Sequence, residues 1–156
     1  MNLIVPNAIP TLTIGGRVFT DLQNLIILYC FCGPQGSTLN GTFRKAGASS
    51  GYTPSGSKTF KLSAIKYSIQ ATAAAATGSV LIGYADADVG LASAAGLTNG
   101  VFIAGGGSPS NIGVGMAVMK ETYEAVCDFV VPNTKYLCAQ AAAASAIATV
   151  AFGYEV

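Results

Sequence analysis

The chain has 156 residues, of which 51% are hydrophobic and only 10% are charged, and its formal net charge is +1. Soluble domains average about 25% charged residues, so this chain cannot cover its surface with charge, and we expect part of that surface to contact other protein. The eight basic residues form no run or stripe that could neutralise phosphates, which argues against a nucleic-acid partner.

The first predicted element is an extended N-terminal arm, residues 1–10. Its apolar stretch from Leu3 to Ile9 is interrupted by Pro6 and followed by Pro10, and it is too short to form a core of its own. It lacks the basic start and the long apolar stretch of a signal peptide. We expect the apolar side chains of this region to form a contact with another subunit or with a different partner protein: Leu3, Ile4, Val5, Ile9 and Leu12.

The remaining residues, 11–156, are predicted to form one domain, which begins with a hairpin and a strongly apolar strand. Thr11–Thr20 contains two short strand-like runs around Gly15-Gly16. The stretch LIILYCFC (Leu25–Cys32) follows. A helix that spans a bilayer needs about 20 apolar residues, so this run is no membrane anchor. It is interpreted as a strand that is buried on both faces or covered by a neighbouring subunit.

A long polar loop and a clear strand occupy the middle of the chain. The loop Ala46–Ser57 is rich in small polar residues and contains Tyr52, the best candidate for stacking on a sugar ring. In the strand Thr59–Ala71, the alternation of apolar and polar residues shifts by one at Ala64–Ile65. One extra residue switches the faces of a strand, so this shift predicts a β-bulge.

Strand signals continue to the end of the chain. Met116–Val131 could form a helix, but its many β-branched and aromatic residues favour strands. Lys135–Ala141 and Ile147–Tyr154 are predicted to form a closing hairpin, and the alanine tract between them a tight connection or the ends of the two strands. About eight to ten short antiparallel strands without βαβ alternation predict an all-β, single-domain β-sandwich or jelly roll.

No constellation of residues predicts catalysis. The chain has no histidine, which excludes Ser-His-Asp and Cys-His arrangements. Asp86 and Asp88 could ligate calcium, but further acidic ligands are missing nearby and aspartate is common at turns. A cluster of acidic residues that pair with nearby lysines is a better explanation than a functional site for three further carboxylates: Glu121, Glu124 and Asp128. We therefore expect no enzyme, no catalytic or cofactor-binding residues and no cofactor.

The four cysteines are Cys30, Cys32, Cys127 and Cys138. A C-x-C pair followed by two separate cysteines matches zinc-site spacing poorly. Small buried side chains with reduced thiols are the preferred interpretation, so no metal is expected.

Several segments on this charge-poor chain rich in Gly, Ala and Thr resemble those of the decoration, or cement, proteins of tailed-bacteriophage heads. They are TFKLSAIKYSIQ, SVLIGYADADVGL, NTKYLCAQA and IATVAFGYEV, within residues 59–156. The resemblance lies in style and segment order, and it carries over no individual binding residue.

That resemblance implies a structural role. Such proteins are often β-sandwich or jelly-roll homotrimers that clamp the major capsid protein at subunit junctions. The expected location is the outer capsid surface of the virion, after synthesis in the host cytoplasm, with no nucleic acid or membrane as partner. The alternatives are a glycan-binding module of a head or tail fibre, or another virion subunit such as a tail-tube or minor coat protein.

Overall fold

The structure, a computed structural model, describes residues 9–32, 39–71, 77–88, 99–107, 122–141 and 145–156. Every regular element in these ranges is a β-strand, and ten strands follow one another along the chain. They are β1 (Leu12–Ile14), β2 (Arg17–Phe19), β3 (Ile26–Cys32), β4 (Leu39–Thr42), β5 (Phe60–Ala71), β6 (Thr77–Ala85), β7 (Asn99–Gly107), β8 (Thr122–Val131), β9 (Tyr136–Ala141) and β10 (Ser145–Glu155).

Eight of these strands form two four-stranded antiparallel sheets. The first sheet has the order β3-β10-β5-β8 and the second the order β4-β9-β6-β7. The pairs are nested: β3 pairs with β10, β4 with β9, β5 with β8 and β6 with β7. A long antiparallel ribbon rolled into two sheets has this connectivity, which is that of a jelly roll. The predicted all-β sandwich is therefore confirmed.

One apolar core lies between the two sheets. The first sheet contributes Leu28, Leu62 and Ile65, and the second contributes Ile82 and Leu137; all five are fully buried. Burial of each such side chain contributes roughly 1.5–3 kcal/mol. Facing apolar rows on strands remote in sequence thus hold the sandwich together.

The hairpin β1–β2 covers part of the outer face of the first sheet. Gly15 and Gly16 have φ angles of 58° and 86°, and positive φ at both central residues is the requirement of a tight type I′ turn. Ile14 and Phe19 of the hairpin pack in a second buried cluster with Phe152 of β10. The predicted hairpin is confirmed, and it shields the sheet's outer face.

Strand β5 contains the predicted irregularity, one residue earlier than the pattern suggested. Leu62 and Ala64 pair with the consecutive residues Gly153 and Phe152, so Ser63 is the extra residue relative to β10. As a result Leu62 and Ile65 both enter the main core, while Ala64 joins the cluster beneath the hairpin. Because of the bulge, strand β5 contributes side chains both to the main core and to the cluster beneath the hairpin.

The predicted closing hairpin is wrong. Strand β9 pairs with β4 and β6, and β10 pairs with β3 and β5, so the two strands belong to different sheets. The alternation of each strand gives its faces but not its partner, and in a rolled ribbon the partner is far away in sequence. Residues 142–144 of the alanine tract lie outside the described residues.

Candidate interaction surface

An apolar area lies on the outer face of the first sheet, beside the hairpin. On β3 the side chains of Leu28 and Cys30 enter the core, whereas Tyr29 and Phe31 point outward and are 46% and 52% exposed. Each is paired across the sheet with a half-buried residue of β10, Phe31 with Ala148 and Tyr29 with Val150. We call these four residues, Tyr29, Phe31, Ala148 and Val150, the apolar strip.

A tight turn at residues 45–48 lies beside the strip, so that the strip and the turn together form a concave surface. The amide of Ala48 donates a hydrogen bond to the carbonyl of Lys45 at 3.0 Å, and Gly47 in this turn has a φ angle of 76°. Arg44 holds the turn in place, because it exchanges two backbone hydrogen bonds with Tyr29, of 2.8 and 2.9 Å. The strip and the turn together line an open groove of about 630 Å³.

Within the described part of the chain, three cations line this groove, and two of them are paired with carboxylates. The ammonium group of Lys66 lies 3.3 Å from a carboxylate oxygen of Glu124, and the guanidinium of Arg44 lies 3.5 Å from Asp88. The ammonium group of the third cation, Lys45, lies 5.4 Å from the centroid of the Tyr52 ring. With an apolar floor and these cations already in contact with the protein, the groove suits an uncharged apolar chain segment better than an anion.

The residues predicted to form a subunit contact lie on and before the hairpin. Leu3, Ile4 and Val5 fall outside the described residues. Ile9 is 75% exposed, as a contact residue of an isolated chain would be. Leu12 is half-buried and packs against the cluster beneath the hairpin, so part of its apolar surface is already used within its own chain. The contact itself stays a prediction.

Tyr52 cannot stack on a sugar, because its ring is buried in the main core. The ring packs edge-on against Phe60 with centroids 5.3 Å apart, and its hydroxyl donates a hydrogen bond to Glu155 at 2.8 Å. The Glu155 carboxylate also accepts bonds from the hydroxyl of Ser55 at 2.6 Å and from its amide at 3.0 Å. Tyr52 therefore anchors the loop to β10.

The two aspartates considered as calcium ligands bind protein groups. Asp86 accepts from the ammonium group of Lys135 at 2.7 Å. Asp88 accepts from the amide of Gly51 at 2.6 Å, and a Cβ atom on Gly51 would lie only 2.9 Å from its carboxyl carbon. Turn chemistry and loop anchoring account for both carboxylates.

The cysteines and the acidic residues of β8 also have structural roles. Cys30, Cys127 and Cys138 are buried, and burial raises the pKa of the Cys127 thiol to about 11. Asp128 pairs with Arg17 and with Lys61 at 3.2 and 3.6 Å. This confirms the predicted pairing of these carboxylates with cations; Glu121 and the side chain of Cys32 lie outside what the structure describes.

Comparison with known proteins adds no relative. No family model, curated protein or solved structure matches the chain. Within the described ranges, no helix is long and apolar enough to cross a membrane, and no three acidic, cysteine or histidine side chains are grouped as metal ligands. The apolar strip, with its two exposed aromatic side chains, is the candidate interaction surface.

The sequence contained a signal for this strip that the interpretation of LIILYCFC missed. Tyr29 and Phe31 are two residues apart and share one face of β3, while Leu28 and Cys30 share the other. A continuous apolar run hides this alternation. Two interpretations of this run were left open. In the single chain the strand is not buried on both faces, because Tyr29 and Phe31 are exposed. The interpretation that a neighbouring subunit covers this strand stays a prediction.

Proposed function

We propose that this protein is a structural virion subunit that decorates and stabilises a bacteriophage capsid. It would bind as an oligomer, a homotrimer, at junctions between subunits of the major capsid protein on the outer surface of the virion. The fold supports this by analogy only, because jelly rolls occur in viral capsid proteins and also in lectins and other classes.

The observation that carries the proposal is the apolar strip on a chain with few charges. Tyr29 and Phe31 are large apolar side chains left half-exposed on a rigid sheet. Contiguous apolar patches on otherwise polar surfaces are typical of protein contacts. A subunit that is complete only in an assembly has this character.

The mechanism follows from binding equilibria. A protein that binds the assembled shell but not its free subunits stabilises the shell, by an amount that increases with its free concentration relative to its dissociation constant. Three linked copies would add avidity, because the second and third contacts form at a high effective concentration. The protein needs no chemical reaction for this function.

Co-sedimentation with heads assembled without this chain tests the proposal. The expected result is saturable binding at a fixed ratio to the major capsid protein, together with greater resistance of the decorated heads to heat. Heads that already carry the chain are the matched control and should bind no more. Absence of binding, or binding without saturation, would overturn the proposal.

The glycan-binding alternative rests on a different observation. With Tyr52 buried, Tyr29 and Phe31 are the most exposed aromatic side chains among the residues whose exposure the structure describes, so a sugar could reach their rings. Specific binding on a glycan array that disappears in Tyr29→Ser would favour this alternative over capsid decoration.

A further inference from the structure

The chain leaves the surface just before the hairpin. Leu12 is half-buried, but Thr11, Pro10 and Ile9 are exposed, and Ile9 is 75% exposed. The described beginning of the arm, Ile9 and Pro10, is therefore left uncovered by its own domain.

The eight residues before Ile9 are long enough to reach another copy. At 3.3–3.6 Å per extended residue they span roughly 26–29 Å. A domain of this length has a radius of gyration of about 15 Å. The reach of a fully extended segment of this length therefore exceeds the radius of the domain.

The composition of the arm matches the groove. Residues 1–8 have no charged side chain, and Leu3, Ile4 and Val5 are consecutive aliphatic residues. The groove has the apolar strip as its floor, and its volume of about 630 Å³ falls in the range of about 300–1,000 Å³ that encloses small ligands. Lys66 and Arg44 are paired with acidic residues, and the ammonium group of Lys45 lies 5.4 Å from the centroid of the Tyr52 ring. Docking an uncharged segment would take none of these partners away.

The hydrogen bonds of β3 indicate how a segment would dock. β3 is at the edge of its sheet, where an extended peptide could add as a new strand. Its central residue, Tyr29, already exchanges both backbone hydrogen bonds with Arg44. The edge is therefore closed in the middle, and docking must use side chains on the face of the sheet.

We propose that residues 1–8 of one copy lie in the groove of the next copy, with Leu3, Ile4 and Val5 on the apolar strip. The contact is head-to-tail, and such contacts close into rings when the rotation between copies allows it. This inference depends on the proposed function in one respect, the assumption that the protein acts as an oligomer.

Disulfide trapping of the isolated full-length protein tests the exchange. Val5→Cys combined with Ala148→Cys places one thiol on the arm and one in the middle of the strip. After mild oxidation, a non-reducing gel should show covalently linked dimers and larger rings. The matched control combines Val5→Cys with Val18→Cys, because Val18 is 56% exposed on β2 and lies outside the groove; it should stay monomeric on the gel. A link within one chain, or linkage equal to that of the control, would overturn the inference.

Native mass by light scattering gives a second test that does not depend on thiols. Deletion of residues 2–8, and separately Tyr29→Ser, should each reduce the native mass to that of one chain while the β-type circular dichroism is retained. Val18→Ser should keep the native mass of the unmodified protein. A deletion variant that keeps its oligomeric mass would also overturn the inference.

The two proposals fail in different ways. Heads that bind the protein saturably although its thiols do not link between copies would leave capsid decoration standing and refute arm exchange. Linkage between copies without any binding to heads would confirm arm exchange and refute capsid decoration.

Discussion

The hydroxyl of Tyr52 lies 2.8 Å from a carboxylate oxygen of Glu155, which joins the long loop Ala46–Ser57 to strand β10. Burial, and then the Glu155 carboxylate, raise the pKa of Tyr52, so its hydroxyl stays protonated and keeps its donor. The loop that composition assigned to the surface is therefore fixed to the sandwich at its centre.

Removal of the Tyr52 hydroxyl should weaken the fold without disturbing the packing of the ring. Tyr52→Phe keeps the contact with Phe60 but deprives Glu155 of a donor, and a hydrogen bond to a charged group contributes about 1.5–3 kcal/mol. Urea unfolding should show a loss of that order. Tyr29→Phe, on the exposed strip, is the control and should change the free energy of unfolding by less than about 0.5 kcal/mol. Equal stability of the two variants would mean that the bond contributes nothing.

The same carboxylate should make stability depend on pH. Hydrogen bonds from the hydroxyl of Ser55, and then from Tyr52, lower the pKa of Glu155 below its ordinary value. The folded state therefore binds this proton less readily than the unfolded state. The resulting stabilisation is complete above the pKa of this glutamate in the unfolded chain, about 4.3. It is lost as the pH falls through the pKa of Glu155 in the folded protein.

Glu155→Gln should consequently lower the free energy of unfolding at neutral pH, where the Glu155 carboxylate stabilises the fold. In acid, where this carboxylate is protonated, the substitution should have little effect. The measurement is the free energy of unfolding of both proteins at several pH values between about 7 and 3, around the ordinary carboxyl pKa. Glu124→Gln is the comparison: the Gly15 amide and Lys66 also lower the pKa of its carboxylate, but this carboxylate is exposed and screened by solvent, so its pH-dependent effect should be smaller. A difference between the wild-type protein and Glu155→Gln that stays constant down to the lowest pH would contradict the assignment.

The sequence predicted local features well and the arrangement of strands poorly. The Gly15-Gly16 turn and the bulge in β5 follow from neighbouring residues, and both were found. The partner of β10 could not be found in this way, because β3 lies more than a hundred residues earlier in the chain. Tyr52 was misjudged for a related reason: its loop is polar, but Phe60 and Glu155 offer its ring and hydroxyl a buried place.

The side chain of Arg17 is expected to protect an edge of the first sheet. Strand β8 is at that edge, and the Arg17 guanidinium donates to the Cys127 carbonyl at 3.1 Å and to both carboxylate oxygens of Asp128 at 3.2 and 3.3 Å. Open strand edges pair with other chains and cause aggregation. Arg17→Ala should change the free energy of unfolding only slightly, as for other exposed ion pairs, but the variant should aggregate faster.

Turbidity during incubation below the unfolding temperature measures this effect. Arg17→Lys keeps the positive charge but loses the planar fork, so it should aggregate at a rate between those of the wild-type protein and Arg17→Ala. Lys61→Ala removes the other cation beside Asp128 without touching the Cys127 carbonyl, and it serves as the control. Equal rates for Arg17→Ala and Lys61→Ala would show that charge, and not the covered edge, is responsible.

The turn between β8 and β9 contains a strained residue whose replacement should stabilise the protein. Thr134 has a φ angle of 66°, in the left-handed region that β-branched residues rarely adopt. The turn is held by the Lys135 amide, which donates to the Pro132 carbonyl at 3.2 Å. Since glycine adopts this conformation freely, Thr134→Gly should stabilise the fold by about 1 kcal/mol and raise the melting temperature by about 2–4 °C.

The control is Thr53→Gly, at an exposed position without a positive φ. This substitution should instead destabilise the protein through the greater freedom of the unfolded chain. If both glycine variants melt below the wild-type protein, the greater freedom of the unfolded chain outweighs the strain at Thr134, and the prediction is wrong.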